Sequence, residues 1–322
     1  MAGIRVSAPS HVHVGNYDIH GGLGRMYGTI GFTLEEPRTV VEVHTGKGVD
    51  GAPEPYYREW AERAVKVLED AGCGRVGVTI RSVIPRNVGL GATTSLVLSI
   101  IAGGLRLCNR RARLEDLAAR AGRGLVSALG VYSFIHGGFI VDGGFRPGSG
   151  RVPPLIFRAT VPSRYVMVVA LPEAPVEGIL RIKEREDEVL ESMPRMPEEL
   201  AMKASRIALM GIIANAAEGD WVEAGRWVTR FNRLLGEYWA DRQGGVYCCR
   251  EAEEVVGKML GMGALLAGQS SWGPTVYGLF PETLAPAVVE EVRSLLDGLG
   301  GGMVWATRVD NRGAVLEVAG DG

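Results

Sequence analysis

The stretch best suited to chemistry is Ile84-Pro-Arg-Asn-Val-Gly-Leu-Gly-Ala-Thr-Thr-Ser95. It follows an alternating strand pattern and opens a helical one. Gly89 and Gly91 leave backbone amides unshielded, and a helix start offers unpaired N–H groups at the positive end of its dipole. Thr93, Thr94 and Ser95 bring hydroxyls to the mouth. With the amides of Gly89, Gly91, Ala92 and Thr93 they compose a phosphate cradle; a glycine-rich turn with a Thr cap is the structural alternative. It is not a Walker loop, because no G-K-[ST] follows, nor the dinucleotide fingerprint, because the third Gly is missing.

Three other segments carry polar groups among glycines. Ser10–Gly31 holds three of the five histidines. His11 and His13 share one strand face, which suits metal ligation, but no third ligand stands at zinc spacing. Asp18 and Arg25 follow, the latter with a fork that matches phosphate or carboxylate. Gly122–Gly144 presents Arg123, Ser127, His136 and Asp142. Gly268-Gln-Ser-Ser-Trp-Gly-Pro-Thr-Val-Tyr277 presents Ser270, Ser271 and Trp272 ahead of a strand. Each of the three reads equally as a loop packed on protein, with Trp272 as core filler.

The elements that must position these groups are a mixture. Alternation predicts strands at Val76–Ser82, Gly137–Gly144, Tyr165–Leu171, 275–280, 302–309 and Ala314–Val318. Helical spacing predicts helices from Tyr57 to Ala71, over 93–107, 114–121, 197–217, 220–238, 250–266 and 285–297. Gly72 stops the first of them. A Gly/Pro-rich loop and a composition shift place a domain boundary near residue 160. Neither half shows regular βαβ alternation, so the class is α+β.

The chain has 322 residues, of which 46% are hydrophobic and 22% charged, a globular balance. A net charge of -2 argues against a nucleic-acid binder. No apolar run reaches the roughly 18 residues of a membrane span, and Met1–Ser10 lacks the pattern of a secretory signal. A cytoplasmic protein without a membrane partner is the expectation. Of 35 basic residues 30 are Arg, and Asn and Gln total 8. Few thermolabile amides fit a thermophile, while Arg bias also follows from a GC-rich genome. Cys73, Cys108, Cys248 and Cys249 form no C-x-x-C, and the adjacent pair reads as two reduced thiols on opposite faces of a helix start or strand, with a redox role as the alternative.

Together the segments resemble the GHMP kinase superfamily. Pro85-x-x-x-Gly89-Leu90-Gly91-Ala92-Thr93-Thr94 is similar to its second motif, and Gly268–Tyr277 stands where its third would be. The chain resembles more closely one branch, the β-ribofuranosylaminobenzene 5'-phosphate synthases of archaeal methanopterin biosynthesis. His20–Gly31, Gly122–Gly130, His136–Gly144, Gln243-Gly-Gly-Val-Tyr247 and Gly268–Tyr277 carry this likeness, in order and over most of the chain. Where mevalonate-type kinases have S-G-[VI]-D, this chain has Ser127-Ala-Leu-Gly130, without the carboxylate. Two departures stand out: Ser10-His-Val-His13 replaces the branch's S-R-L-H, and Gly91-Ala-Thr-Thr94 replaces G-S-G-T.

The resemblance implies a two-domain GHMP-kinase-like fold. Residues 1–160 would be the N-terminal-like domain with the phosphate loop 85–95, and 161–322 the C-terminal-like domain. It also implies a homodimer. The implied reaction condenses 4-aminobenzoate, or a related aromatic acid, with 5-phosphoribosyl pyrophosphate, releasing CO2 and pyrophosphate without ATP. Mg2+ would assist, with Thr94 and Asp142 as candidate ligands. Gly89, Gly91, Ala92, Thr93, Thr94 and Ser95 would hold pyrophosphate. Arg25 and Arg123 would clamp the 5'-phosphate or the benzoate, with Ser127 beside them. Asp18 or Asp142 would face the ribosyl cation. Trp272 would stack on the ring beside Ser270 and Ser271, and His13 and His136 would carry protons. An ATP-dependent kinase and a non-catalytic binder are the competing readings.

Overall fold

The computed structural model describes residues 3–173 and 195–319. Two long strands, β1 (Gly3–Asp18) and β2 (Tyr27–Thr45), form an antiparallel hairpin. Their inward residues Val6, Ala8, Val12, Phe32, Val41 and Val43 are fully buried. β2 is long enough to serve two neighbours. Its far end pairs with β4 (Val76–Ser82), and its near end with β5 (Phe139–Asp142). The short β3 (Val49–Asp50) lies beyond β4, and β6 (Leu155–Ala159) beyond β5.

Between these strands run α1 (Pro55–Asp70), α2 (Ala92–Leu107), α3 (Leu114–Arg120) and α4 (Leu129–His136). α2 is apolar around its whole circumference and is buried almost end to end against β1, β2 and α1. The helix α4 has no clear signature in the sequence, because the segment is short and nearly all apolar.

After β7 (Tyr165–Pro172) come α5 (Glu198–Arg206), a π-helical stretch (Ile207–Ile213), α6 (Ala214–Glu218), α7 (Trp221–Gln243) and α8 (Arg250–Gly261). β8 (Leu266–Gln269), β9 (Val276–Pro281), α9 (Ala285–Gly298) and β10 (Gly302–Thr307) complete a second sheet of order β10-β7-β9-β8. β7 is buried on both faces, hence its unbroken apolar sequence. Val166, Val168 and Ala170 pack toward α8 and α9, while Met167, Val169 and Leu171 join the core shared with the first sheet.

Three sequence expectations need correction. The helix expected to reach 266 stops at Gly261, and Leu266–Gln269 is strand β8. The last strand, β11 (Val315–Ala319), does not stay with the second half of the chain: it pairs with β1 at the edge of the first sheet. The stretch Glu198–Glu218 is long and apolar enough to cross a membrane by length and composition, but charged residues interrupt it, so it is no unbroken apolar run. In this fold it packs against β1 and α7. Finally, Cys248 and Cys249 do not diverge, since their sulfurs lie 3.4 Å apart, and Cys73 and Cys108 form a disulfide joining the ends of α1 and α2.

Candidate active site

A cavity of about 520 Å3 opens where β1, α1, the loop before α4, α7 and the loop after β8 converge. β1 brings His13 and Asn16. The α3–α4 loop brings Arg123 and Ser127. α7 brings Asn232, Trp239 and Gln243 from one face, at helical spacing. The last loop brings Gln269, Ser271 and Trp272.

Main-chain bonds fix the junction. His13 is held at both its backbone groups: its N–H donates to Ser270 Oγ (2.9 Å), and its carbonyl accepts from the Ser271 N–H (3.1 Å). Ser270 Oγ–H in turn donates to the Gly89 carbonyl (2.6 Å). One buried hydroxyl thus links the Gly89–Thr94 loop, β1 and the Gly268–Tyr277 loop. Asn232 adds a second tie. Its Nδ2 donates to the carbonyls of Val14 (2.8 Å) and Gln269 (2.9 Å), and its Oδ1 accepts from the Gln269 N–H (3.0 Å). α7 approaches β1 this closely because residue 15 is Gly; a Cβ there would run into Leu235 and Phe231.

Arg123 donates from Nε to Thr94 Oγ1 (3.2 Å) and lies over the Trp60 ring, 5.1 Å from its centroid. Trp272 meets Trp239 edge-on, with centroids 4.6 Å apart. The cavity wall therefore combines one guanidinium, one imidazole and three tryptophans, and no carboxylate is among its described lining residues. It suits an anionic, partly aromatic ligand.

His11 lies beside this cavity, against Gly91, whose φ of 79° and lack of a Cβ make room for the ring. Burial, with His13 and Arg123 adding repulsion, lowers its pKa to about 3, so it is neutral at physiological pH.

Thus His13, Arg123, Ser127, Ser271 and Trp272 come together on the wall, and Ser270 lies just behind it. The loop with Gly89, Gly91, Ala92, Thr93, Thr94 and Ser95 is next door, contacting the wall through Thr94 and Gly89. Thr93 bonds the Tyr56 hydroxyl (2.5 Å), and Ser95 donates to the Pro9 carbonyl (2.7 Å).

The four remaining candidates lie elsewhere, each engaged with main chain or a neighbouring ring. Asp18 Oδ1 accepts from the N–H groups of His20 and Gly21, closing a turn. Arg25 donates to the Gly144 carbonyl (3.0 Å). His136 ends α4, stacks on Tyr132 and is exposed. Asp142 is fully buried and accepts from the amides of Thr29, Ala128 and Gly144 (2.9–3.1 Å). Burial pushes its pKa up to about 6 against the pull of those amides.

These contacts also bear on Mg2+. The Thr94 hydroxyl already faces a guanidinium, Asp142 is ringed by amides, and the described residues hold no cluster of three His, Cys, Asp or Glu. Among the described residues, the side chains around this cavity do not fit a resident divalent cation.

Asn232 and Trp239 are lining residues that the motifs in the sequence do not mark, and Gln243, which opens the Gln243–Tyr247 stretch, is not among the candidate site residues. Two amides on an otherwise apolar helical stripe are the available signal.

Known proteins show the same organisation. Residues 59–138 match the GHMP kinases N terminal domain and 212–298 the GHMP kinases C terminal domain. The chain is 30% identical to beta-ribofuranosylphenol 5'-phosphate synthase of Methanothermobacter thermautotrophicus, over 97% of this chain and 98% of that one. The chain belongs to this family. The protein of the same name from Archaeoglobus fulgidus is 28% identical over 98% of this chain and all of its own. Among solved structures, a homoserine kinase from Cytophaga hutchinsonii superposes with a TM-score of 0.71 at 17% identity, covering 98% of this chain and 97% of that one. That likeness concerns the fold alone. Within the family, the Ser127–Gly130 register without a carboxylate accords with a wall that also lacks one.

Proposed function

We propose that this protein joins a para-substituted benzoate to 5-phosphoribosyl pyrophosphate, releasing CO2 and pyrophosphate in methanopterin-type pterin biosynthesis. The observation that carries the reading is the near-full-length match to phenol-forming relatives. A cavity with a cationic end and an aromatic wall supports it. The relatives' name points to 4-hydroxybenzoate in place of the 4-aminobenzoate expected from sequence.

The chemistry assigns the cavity's groups. The phenolic oxygen pushes electrons to the carbon bearing the carboxylate, and that carbon bonds to the ribosyl centre as pyrophosphate departs. The phenol proton passes to His13. Loss of CO2 leaves its bonding pair in the ring and restores aromaticity, and the proton returns from His13 to oxygen. Arg123, with the helix start at Ala92–Thr94, stabilises the leaving pyrophosphate. Trp272 and Trp239 hold the ring against the ribosyl carbon. Ser127 and Ser271 supply donors. Any Mg2+ arrives on the substrate's phosphate oxygens. The same reading takes the protein to be a cytoplasmic homodimer, which sedimentation checks.

The test omits ATP. Purified protein is incubated with Mg2+, 5-phosphoribosyl pyrophosphate and carboxyl-labelled 4-hydroxybenzoate, with 4-aminobenzoate in parallel. Equal release of CO2 and pyrophosphate, dependent on both substrates, is expected. Release of neither from folded protein, with phosphoryl transfer appearing on ATP addition, overturns the synthase reading in favour of a kinase.

A further inference from the structure

Behind the aromatic wall sits a pair of thiols that the reaction above does not use. Cys248 and Cys249 are consecutive and both partly exposed, and their Sγ atoms lie 3.4 Å apart. Cys249 is extended at φ -164° and ψ 163° and precedes α8, where its sulfur accepts from the Ala252 N–H (3.4 Å). Extended neighbours ordinarily point to opposite sides. Here they converge, and Cys248 donates to its neighbour. That donated bond, with the helix amide, holds the Cys249 thiol below its usual pKa against the effect of burial.

The pair is coupled to the cavity. The Cys248 N–H donates to Gln269 Oε1 (2.7 Å), and Gln269 Nε2 donates to the Ser271 carbonyl (3.0 Å) and to Gln243 Oε1 (3.3 Å). Cys248 Sγ also packs against the Cα of Gly273, leaving no room for a Cβ. Gln269, Ser271, Gln243 and Trp272, which adjoins Gly273, all line the cavity.

We propose that Cys248 and Cys249 form a dithiol modification site that closes to a vicinal disulfide by exchange with a small-molecule disulfide, and that closure shifts the Gln269–Trp272 wall. The Cys249 thiolate attacks one sulfur of the reagent and expels a thiolate. The Cys248 thiolate then attacks the Cys249 sulfur of the mixed disulfide and expels the second. The protein loses two protons and two electrons, the reagent gains them, and it leaves as two thiols.

Closure must move backbone. A disulfide is about 2.05 Å long and ordinarily spans Cα atoms 4.4–6.8 Å apart, whereas consecutive Cα atoms are held at about 3.8 Å. The 248–249 peptide has to twist, and the Cys248 N–H moves with it. The coupling to the cavity rests on the proposed function; formation of the bond does not.

The experiment treats the full chain with oxidised glutathione, blocks remaining thiols with iodoacetamide, and weighs the peptide containing residues 248–249. The expected product is unalkylated and two hydrogens lighter than the reduced peptide, and dithiothreitol reverses it. The Cys249→Ser variant should instead be alkylated or glutathionylated at Cys248. Tryptophan emission is followed in parallel and should shift in wild type but not in Cys249→Ser. Alkylation of both thiols after oxidant, or stable glutathione adducts on both, overturns the site. A disulfide that forms without any change in emission overturns its coupling to the wall. Neither readout needs turnover, so a protein inactive as a synthase can still pass or fail this test.

Discussion

Two side chains on the cavity wall divide the proposed work. Arg123 supplies the fixed positive charge, and its replacement by Ala should lower kcat/KM about 100-fold. Lys should restore only part, because it lacks the fork that meets Thr94 and an anion together. His13→Ala should lower kcat more than it raises KM, as expected for a group that moves a proton in the transition state. Steady-state kinetics in 5-phosphoribosyl pyrophosphate separates the two. Equal, purely KM effects at both positions would remove His13 from the chemistry.

His11 and Asp142 also make the fold pH-dependent, in opposite senses. His11 titrates near 6.5 when unfolded and near 3 when folded. Its contribution is whole above pH 6.5 and is lost as pH falls toward 3, because the unfolded chain takes up a proton that the folded one refuses. Asp142 is raised from 3.8 to about 6, so its contribution is present below 3.8 and lost as pH rises through 6. Urea denaturation at about pH 7 and about pH 5 should show a smaller loss of stability on acidification in His11→Gln than in wild type. An unchanged loss would mean that the ring is not held neutral.

At the scale of elements, the contacts between α7 and β1 decide whether the cavity exists. Asn232→Ala would strand the Val14 carbonyl and both backbone groups of Gln269, at a cost of about 2–4 kcal/mol. Asn232→Asp keeps one acceptor and should lose nearly as much. Gly15→Ala should cost about 1–3 kcal/mol by pushing Leu235 and Phe231 off β1. Thermal unfolding measures all three.

These elements also show what a sequence can convey. The Gly89–Ser95 and Gly268–Tyr277 loops are legible as places where backbone turns sharply beside the cavity, because both cluster glycines with small hydroxyls. Asp142 is not: a carboxylate that catalyses and one that gathers three amides are the same letter, and only the positions of Thr29, Ala128 and Gly144 separate them. Asp18 misleads for the same reason. Asn232 is silent because its partners, Val14 and Gln269, lie far away in sequence, and a lone amide on a helix ordinarily faces water. The boundary near 160 falls between β6 and β7, but composition carries no sign that β11 returns to the first sheet, since strand pairing across the whole chain has no local signature.

For the molecule as a whole, that return makes the terminal strand part of the N-terminal sheet. Removing residues 314–322 should destabilise the protein, because Ile4 and Val6 lose a covering strand. Hydrogen exchange should then rise along Gly3–Ser7, while α8 and α9 stay protected. Uniform loss of protection would show that the two sheets unfold as one unit.

The single hydroxyl of Ser270 has a last consequence, which concerns order in time. It joins Gly89 to residue 13, and residue 13 waits for it across 257 positions of chain. On a ribosome the Gly89–Thr94 loop emerges early, yet its partner is among the last parts made, and β11, which pairs with the first strand, is later still. A nascent chain therefore carries no complete pocket until almost all of it has been translated, and a prematurely terminated product would lack the wall that Ser270 ties to residue 13.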